Sequence, residues 1–133
     1  MKRSLLGLNK ALLFIALVLS IFGFSPFLKK TYAIDIYTIE DLDSIRNDLS
    51  GNHVLMNDLD FNDESSYSNP SNMSLYTTGE GWVPIGTATS GSEFSGSFNG
   101  NGHTISNLFI STSATSINIG LFGYTSTSSS IFG

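Results

Sequence analysis

Apolar residues in the first part of the chain follow a helical spacing. Between residues 34 and 51 they recur every three or four positions, which places them on one face of an α-helix. Thr38 precedes this stripe as a suitable N-cap, and Gly51 follows it as a suitable C-cap. The pattern therefore predicts one short helix, whose apolar stripe consists of Ile39, Leu42, Ile45 and Leu49.

After Gly51 the apolar residues alternate with polar ones in short runs, and Gly, Asn and Ser separate the runs. Such a pattern is typical of an all-β protein. A polar loop is expected over residues 62–81, and Pro84 keeps the segment GWVPIG at a sheet edge or an irregular bend. The predicted strands lie in HVLMNDLDF (53–61, bent at Asn57-Asp58), FSGSF (94–98), HTISNLFI (103–110) and INIGLFGY (117–124).

The corner Asn99-Gly100-Asn101-Gly102 is compatible with two architectures. Asn-Gly pairs favour a tight antiparallel hairpin, and hence a small sandwich or meander. They also suit the corner of a solenoid, in which short strands stack in parallel. The fragments NLFI, GLFG and SIFG give weak self-similarity, but their irregular spacing does not establish a repeat.

The block FSGSFNGNGHTISNLFI, followed by GLFGY, resembles the GLUG repeat region of bacterial surface proteins. The upstream order of IYTIEDLDSIRNDLSG and GWVPIG is similar as well, so the resemblance covers roughly residues 36–124. It implies an all-β, right-handed parallel β-helix with an N-terminal capping helix. It also implies an apolar interior that contains Phe94, Phe98, Ile105, Leu108, Ile110, Leu121 and Phe122.

The N-terminus has the pattern of an export signal. Basic residues precede an uncharged apolar run over residues 11–24, and Ala33 is a small residue suited to cleavage. We therefore expect a signal peptide over residues 1–33, removed after Ala33, and a secreted or cell-surface location. The alternative is an uncleaved N-terminal membrane anchor.

Removing the leader makes the chain strongly acidic. All 11 carboxylates follow Ala33, against Arg46 alone, so the formal charge becomes 11 minus 1, or −10. A surface of this charge repels phosphate, which excludes nucleic acid and anionic lipid as expected partners. The chain has no cysteine, so its stability must come from packing and backbone pairing.

Few residues point to catalysis or to a cofactor. The glycine-rich corner runs into a strand and has no nearby Lys, unlike a phosphate-binding loop. The only histidines are His53 and His103, and their spacing indicates no zinc site. We expect no enzyme activity and no cofactor. Four side chains have the oxygen spacing of an irregular calcium loop and are weak metal candidates: Asp58, Asp60, Asn62 and Asp63.

The sequence thus predicts a non-catalytic module of a bacterial surface protein, adhesive or stalk-like. It would bind glycans or host or cell-surface proteins, with Tyr37, Trp82 and Tyr124 as candidate ligand contacts, although packing is the favoured role of Trp82. Residues 34–52 would form a capping segment and residues 53–133 an incomplete repeat region, as in an N-terminal fragment whose open edge self-associates. The alternative is the non-catalytic start of a larger carbohydrate-active enzyme or surface peptidase.

Overall fold

The computed structural model describes residues 32–113 and 118–133, so nearly all of the expected signal peptide lies outside the described residues. Two α-helices, three 3-10 turns and six strands make up the described part. The helices are α1 (Ile39–Ser44) and α2 (Met73–Thr77), and the 3-10 turns are Ile45–Asn47, Glu64–Ser66 and Pro70–Asn72. The strands are β1 (Ala33–Ile36), β2 (Asn52–Leu55), β3 (Leu59–Asp60), β4 (Ser97–Asn99), β5 (Ile105–Ser106) and β6 (Ser130–Phe132).

Helix α1 begins as the sequence predicts. The Thr38 hydroxyl accepts a hydrogen bond from the Asp41 backbone N–H, and the Asp41 carboxylate accepts one from the Thr38 N–H. This reciprocal capping box satisfies two N–H groups that the helix itself cannot pair. The predicted C-cap is wrong: α1 ends at Ser44, continues as a 3-10 turn to Asn47, and is closed by Asp48 instead of Gly51.

All pairing between the named strands is parallel. The larger sheet has the order β1-β2-β4-β6, and β3 pairs with β5 in a second sheet. One line of the larger sheet runs from Ile34 through His53 and Phe98 to Ile131. Parallel neighbours need long connections between them, so the Asn99–Gly102 corner does not close a hairpin. The antiparallel sandwich or meander is therefore wrong.

The expected all-β, right-handed parallel β-helix is also wrong, because the described chain has mixed α/β content. Residues 62–81 are not a plain loop: Asp63 and Asn69 cap two 3-10 turns with their side chains, and α2 follows directly. The strand expected over residues 117–124 is wrong in its described part, because residues 118–124 form no strand and have one isolated bridge, Ile85–Phe122. The fold is thus two small parallel sheets combined with short helices. The predicted strands in residues 53–61 are confirmed as β2 and β3, which Asn57 separates as a bend.

A single apolar cluster lies under these elements. Trp82 is 1% exposed, and its ring meets that of Phe61 edge-on at 5.7 Å between centroids. The stripe residues Ile39, Leu42 and Ile45 are fully buried. Of the interior residues that the resemblance implies, Phe94 and Phe98 are buried, and the others are partly buried against the core: Ile105, Leu108, Ile110, Leu121 and Phe122.

A close backbone approach at Gly96 joins the start of β4 to the turn after α1. The N–H groups of Ser95 and Gly96 both donate to the Leu49 carbonyl, at 2.8 and 2.9 Å. A Cβ at position 96 would overlap the Gly51 carbonyl oxygen and lie 2.9 Å from the carbonyl carbon of Ser50. Only glycine permits this contact, because backbone atoms on the facing segment cannot move aside as a side chain can.

We expect Gly96→Ala to lower the free energy of unfolding by about 3 kcal/mol, since the overlap forces the two segments apart. Gly102→Ala is the matched control. Its Cβ would meet nothing within 4 Å, although its φ of +76° disfavours a side chain. That control should cost about 1 kcal/mol. Urea unfolding of both variants measures the difference, and equal losses would contradict the close-approach argument.

Candidate functional site

A groove of about 520 Å³ lies where residues 83–88 meet residues 118–124, and we call it the Tyr124 groove. Its walls come from two segments that are far apart in the sequence but joined by backbone pairing. The lining residues are Val83, Pro84, Gly86, Thr87, Ala88, Asn118, Gly123 and Tyr124. Its volume falls in the range of small-molecule sites, about 300–1,000 Å³.

Backbone hydrogen bonds hold the two walls together. The Ile85 N–H donates to the Leu121 carbonyl at 3.0 Å, and the Gly123 N–H donates to the Ile85 carbonyl at 2.8 Å. A Cβ at Gly123 would lie 2.9 Å from the Gly86 oxygen and 3.0 Å from the Pro84 Cβ. The glycines thus let the two segments pack closely.

Tyr124 combines a fixed backbone with an exposed ring. Its carbonyl accepts a hydrogen bond from the Phe94 N–H at 2.9 Å, and the next residue, Thr125, forms a parallel bridge with Phe94. The side chain is nevertheless 44% exposed. The predicted ligand contact at Tyr124 therefore lies on the wall of a real concavity.

Trp82 and Tyr37, the other two candidate ligand contacts, lie elsewhere. The indole of Trp82 is enclosed in the core, and its Nε1–H donates to the Leu121 carbonyl at 3.1 Å. Tyr37 is 47% exposed but does not line the groove, and its hydroxyl lies 3.5 Å from the Asp35 carboxylate. The structure therefore brings only Tyr124 into the groove.

Arg46, the one Lys or Arg after Lys30, makes its contacts within the scaffold. Its Nε donates to Asp43 Oδ1 at 2.9 Å, and Nη2 donates to the Val83 carbonyl at 2.9 Å. The guanidinium also lies 5.5 Å from the centre of the Trp82 ring, within the range of a cation–π contact. Arg46 thus supports the backbone at one wall of the groove and adds no charge to its lining.

The four calcium candidates have separate local partners. Asp58 Oδ1 accepts the Thr104 N–H at 2.9 Å, and Asp60 Oδ1 accepts the Asn107 amide at 2.8 Å. Asp63 Oδ1 accepts the Ser65 N–H at 2.8 Å, whereas the Asn62 N–H donates to Asp60. Over residues 32–113 and 118–133, no group of three or more His, Cys, Asp or Glu side chains could hold a metal ion.

These hydrogen bonds lower two carboxyl pKa values. The pKa of Asp58 is lowered mainly by the Thr104 backbone N–H and then by His103, whose Nδ1 lies 3.3 Å away. The pKa of Asp63 is lowered by the N–H and hydroxyl of Ser65. The ionised Asp58 therefore joins two distant segments, whereas the ionised Asp63 caps its own 3-10 turn.

The Asn99–Gly102 corner is stabilised by its own side chains. Asn99 Oδ1 accepts the Asn101 N–H at 2.8 Å, and the Asn101 amide donates to the Leu55 carbonyl at 3.2 Å. Asn101 and Gly102 have left-handed φ values of 52° and 76°. The Gly100 N–H donates to the Phe132 carbonyl at 2.6 Å, which ties the corner to β6.

Glu40 links α1 to the turns after β3. Its carboxylate accepts the N–H groups of Ser68 and Asn69 and the side-chain amide of Asn72, at 2.9, 3.3 and 2.9 Å. Partial burial raises the pKa of Glu40, but these hydrogen bonds lower it by more, so the net pKa is below its usual value. The spacing of the apolar stripe gives no signal for this long-range contact.

Two tyrosines in the aromatic cluster stay protonated over the physiological range. Burial, helped by the negative charge of Glu40, raises the pKa of Tyr67 to about 12. Burial and the Asp43 carboxylate raise the pKa of Tyr76 to about 12. The Tyr67 hydroxyl donates to the Phe61 carbonyl at 2.8 Å, so this group serves packing.

Comparisons of the chain with protein-family models, curated proteins and solved structures gave no match. The GLUG resemblance therefore stays a prediction. In the part of the chain that the structure describes, no helix is long and apolar enough to cross a membrane.

We expect Glu40→Gln to lower the stability by about 1 kcal/mol near neutral pH, because it replaces charge-assisted hydrogen bonds at a partly exposed site. Because folding lowers the Glu40 pKa, the native advantage is present above the unfolded pKa, about 4.3. It is lost as pH falls through the lower folded pKa.

Glu64→Gln is the matched control, since Glu64 is an exposed acid in the first of the 3-10 turns after β3. Chemical unfolding across a pH series measures both variants. A constant difference between native protein and Glu40→Gln at all pH values would contradict the role of the ionised carboxylate.

Trp82 is the only tryptophan, so its fluorescence reports the core directly. We expect the native emission to lie at shorter wavelength than that of the protein in guanidinium chloride, with weak quenching by acrylamide, because the indole is buried. Native emission that matched the unfolded protein would contradict the packing role and restore Trp82 as a ligand contact.

Proposed function

We propose that this chain is an exported, non-catalytic module of a bacterial surface protein that binds an external partner through the Tyr124 groove. The proposal is carried by where the charged and uncharged residues lie. Charged side chains such as Glu40, Arg46 and Asp58 hold the scaffold together. The Tyr124 groove, of about 520 Å³, is lined by neutral residues, whereas a concavity of about 360 Å³ beside Arg46 also contains Asp48 and Glu93 in its lining.

A neutral groove favours binding over catalysis. General acid–base chemistry needs a proton-carrying group within hydrogen-bond reach of the reacting atoms. Tyr124 is the one lining residue with an ionisable side chain, and its lining neighbours are aliphatic, glycine, Thr or Asn. The alternative role, as the non-catalytic start of a larger enzyme or peptidase, would use the same groove to hold that enzyme on its substrate.

The expected cleavage after Ala33 is compatible with the fold, because most of the first strand follows the cleavage site. Strand β1 begins at Ala33, and Ala33, Ile34 and Asp35 are exposed. Cleavage after Ala33 would leave Ile34–Ile36 to pair with β2. The processed chain would therefore keep three of the four residues of its edge strand.

An adhesive role also requires avidity, because one shallow groove binds weakly on its own. Several copies on one surface raise the effective concentration of the next contact. The edge strand β6 exposes Ile131 and Phe132, and such an edge can add a strand from another chain. The expected edge-to-edge association of copies remains part of this proposal.

The proposal predicts two results for the full chain, produced in a bacterium with its own leader and a C-terminal tag. The exported protein should begin at Ile34, as N-terminal sequencing would show, and it should bind at least one cell or matrix surface. Ala33→Arg is the control that blocks processing, because the cleavage site needs a small residue.

Retention of the chain inside the cell would contradict export. Hydrolysis of glycan or peptide substrates by the purified protein would contradict the non-catalytic role. Export without binding to any cell, glycan or matrix surface would contradict the adhesive role.

A further inference from the structure

We propose that the Tyr124 groove takes an uncharged saccharide unit, stacked by its apolar face on the Tyr124 ring. This inference rests on the proposed binding function and names the ligand class of the same groove. Three features of the groove carry it: an aromatic ring on a fixed backbone, neutral polar residues in the lining, and paired backbone groups between the two walls.

The backbone that carries the aromatic ring is held before any ligand arrives. The Tyr124 carbonyl accepts the Phe94 N–H at 2.9 Å, and Phe94 itself is fully buried. A Cβ at Gly86 would overlap this same carbonyl, so the facing segment packs directly on the Tyr124 backbone. A fixed backbone lowers the entropy lost on binding, since only two side-chain torsions remain to be ordered.

The groove offers both chemical characters that a sugar ring needs. A pyranose has a face of C–H groups and a rim of hydroxyls. The Tyr124 ring, Val83 and Pro84 supply apolar surface, and Val83 is 56% exposed. Thr87 and Asn118 also line the groove, and their side chains carry neutral groups that can donate and accept hydrogen bonds.

Charge selects against acidic ligands. The lining carries no cation to pair with a carboxylate or sulfate, and an ion that loses water without a partner binds poorly. Arg46 is already paired with Asp43 and the Val83 carbonyl. The processed chain has a formal charge of −10, from 11 acids and one Arg, so its field also repels anions. A neutral sugar needs no cation in the lining and is not repelled by the negative field.

A peptide strand is a poorer match for this groove. Strand addition needs unpaired backbone groups at a sheet edge. Here the Gly123 N–H donates to Ile85, the Ile85 N–H donates to Leu121, and the Tyr124 carbonyl accepts from Phe94. These groups of the groove floor are therefore engaged, and side chains are left to recognise the ligand.

The test uses the full exported protein against immobilised oligosaccharides that end in neutral hexoses or N-acetylhexosamines, with sialylated and sulfated forms for comparison. We expect binding to neutral forms only, inhibited by the matching free sugar. Tyr124→Ala should weaken binding about tenfold or more, because it removes the stacking surface. Tyr124→Phe should retain most of it, because the ring remains.

Tyr37→Ala is the matched comparison, since Tyr37 is exposed to the same degree but lies outside the groove. It should bind as the native protein does. The Trp82 emission spectrum checks that each variant is folded, because that indole reports the core and not the groove surface.

Several outcomes would overturn the saccharide inference, and with it the assignment of binding to the Tyr124 groove, but leave export and non-catalytic surface binding standing. These are equal binding by native protein and folded Tyr124→Ala, a preference for sialylated or sulfated forms, and cell binding that persists after the glycans are removed and requires a surface protein. If Tyr37→Ala lost binding and Tyr124→Ala retained it, the binding site would lie outside the groove. Absence of binding to any surface would defeat the proposed function itself.

Discussion

Parallel pairing in register places the side chains of successive strands directly over one another, and this stacking is the interaction on which the protein depends. The strands have only two to four residues each, too few to be stable alone. Stacking lets a short strand bury its apolar side chain against the strands on both sides. His53 and Phe98, in the middle of one such line, are buried, whereas Ile34 and Ile131 at its two ends remain about half exposed.

The acidic side chains add a second set of connections between segments. Three of them accept hydrogen bonds from backbone N–H groups: Asp41 within the cap of α1, Glu40 from the turn at Ser68, and Asp58 from Thr104. In a chain without disulfides, these contacts fix turns that packing alone would leave loose. A strongly negative composition is therefore compatible with a rigid scaffold.

Local sequence predicted local structure well. The start of α1 depends on Thr38 and Asp41, three residues apart, and was predicted correctly. Strands β2 and β3 were predicted because their alternation is short-range and the bend at Asn57 is marked by polar residues. Helix α2 was missed because Met73–Thr77 has only 5 residues, too few for its two core-facing residues, Met73 and Tyr76, to show a helical period.

Longer-range features could not be predicted in the same way. The glycine-rich, alternating segments and the family resemblance both favoured an all-β fold. Neither shows which segments pair, or that short helical elements form within an expected polar loop. The groove depends on Ile85 meeting Phe122, a contact between residues with no shared pattern. The residue type alone made Tyr124 a candidate ligand contact. Only the structure shows that Thr87 and Asn118 line the same groove and that Arg46 supports Val83.

The scarcity of Lys and Arg after residue 30 has a consequence for cleavage by proteases. Trypsin-like proteases cut after Arg or Lys in extended, accessible segments, and after Lys30 the sequence offers them Arg46 alone. Arg46 lies in a 3-10 turn, with its guanidinium hydrogen-bonded to Asp43 and placed over Trp82. The folded chain therefore presents these enzymes with one bond, held in a conformation that they do not accept. Cleavage at Arg46 by such an enzyme therefore requires this turn to open first.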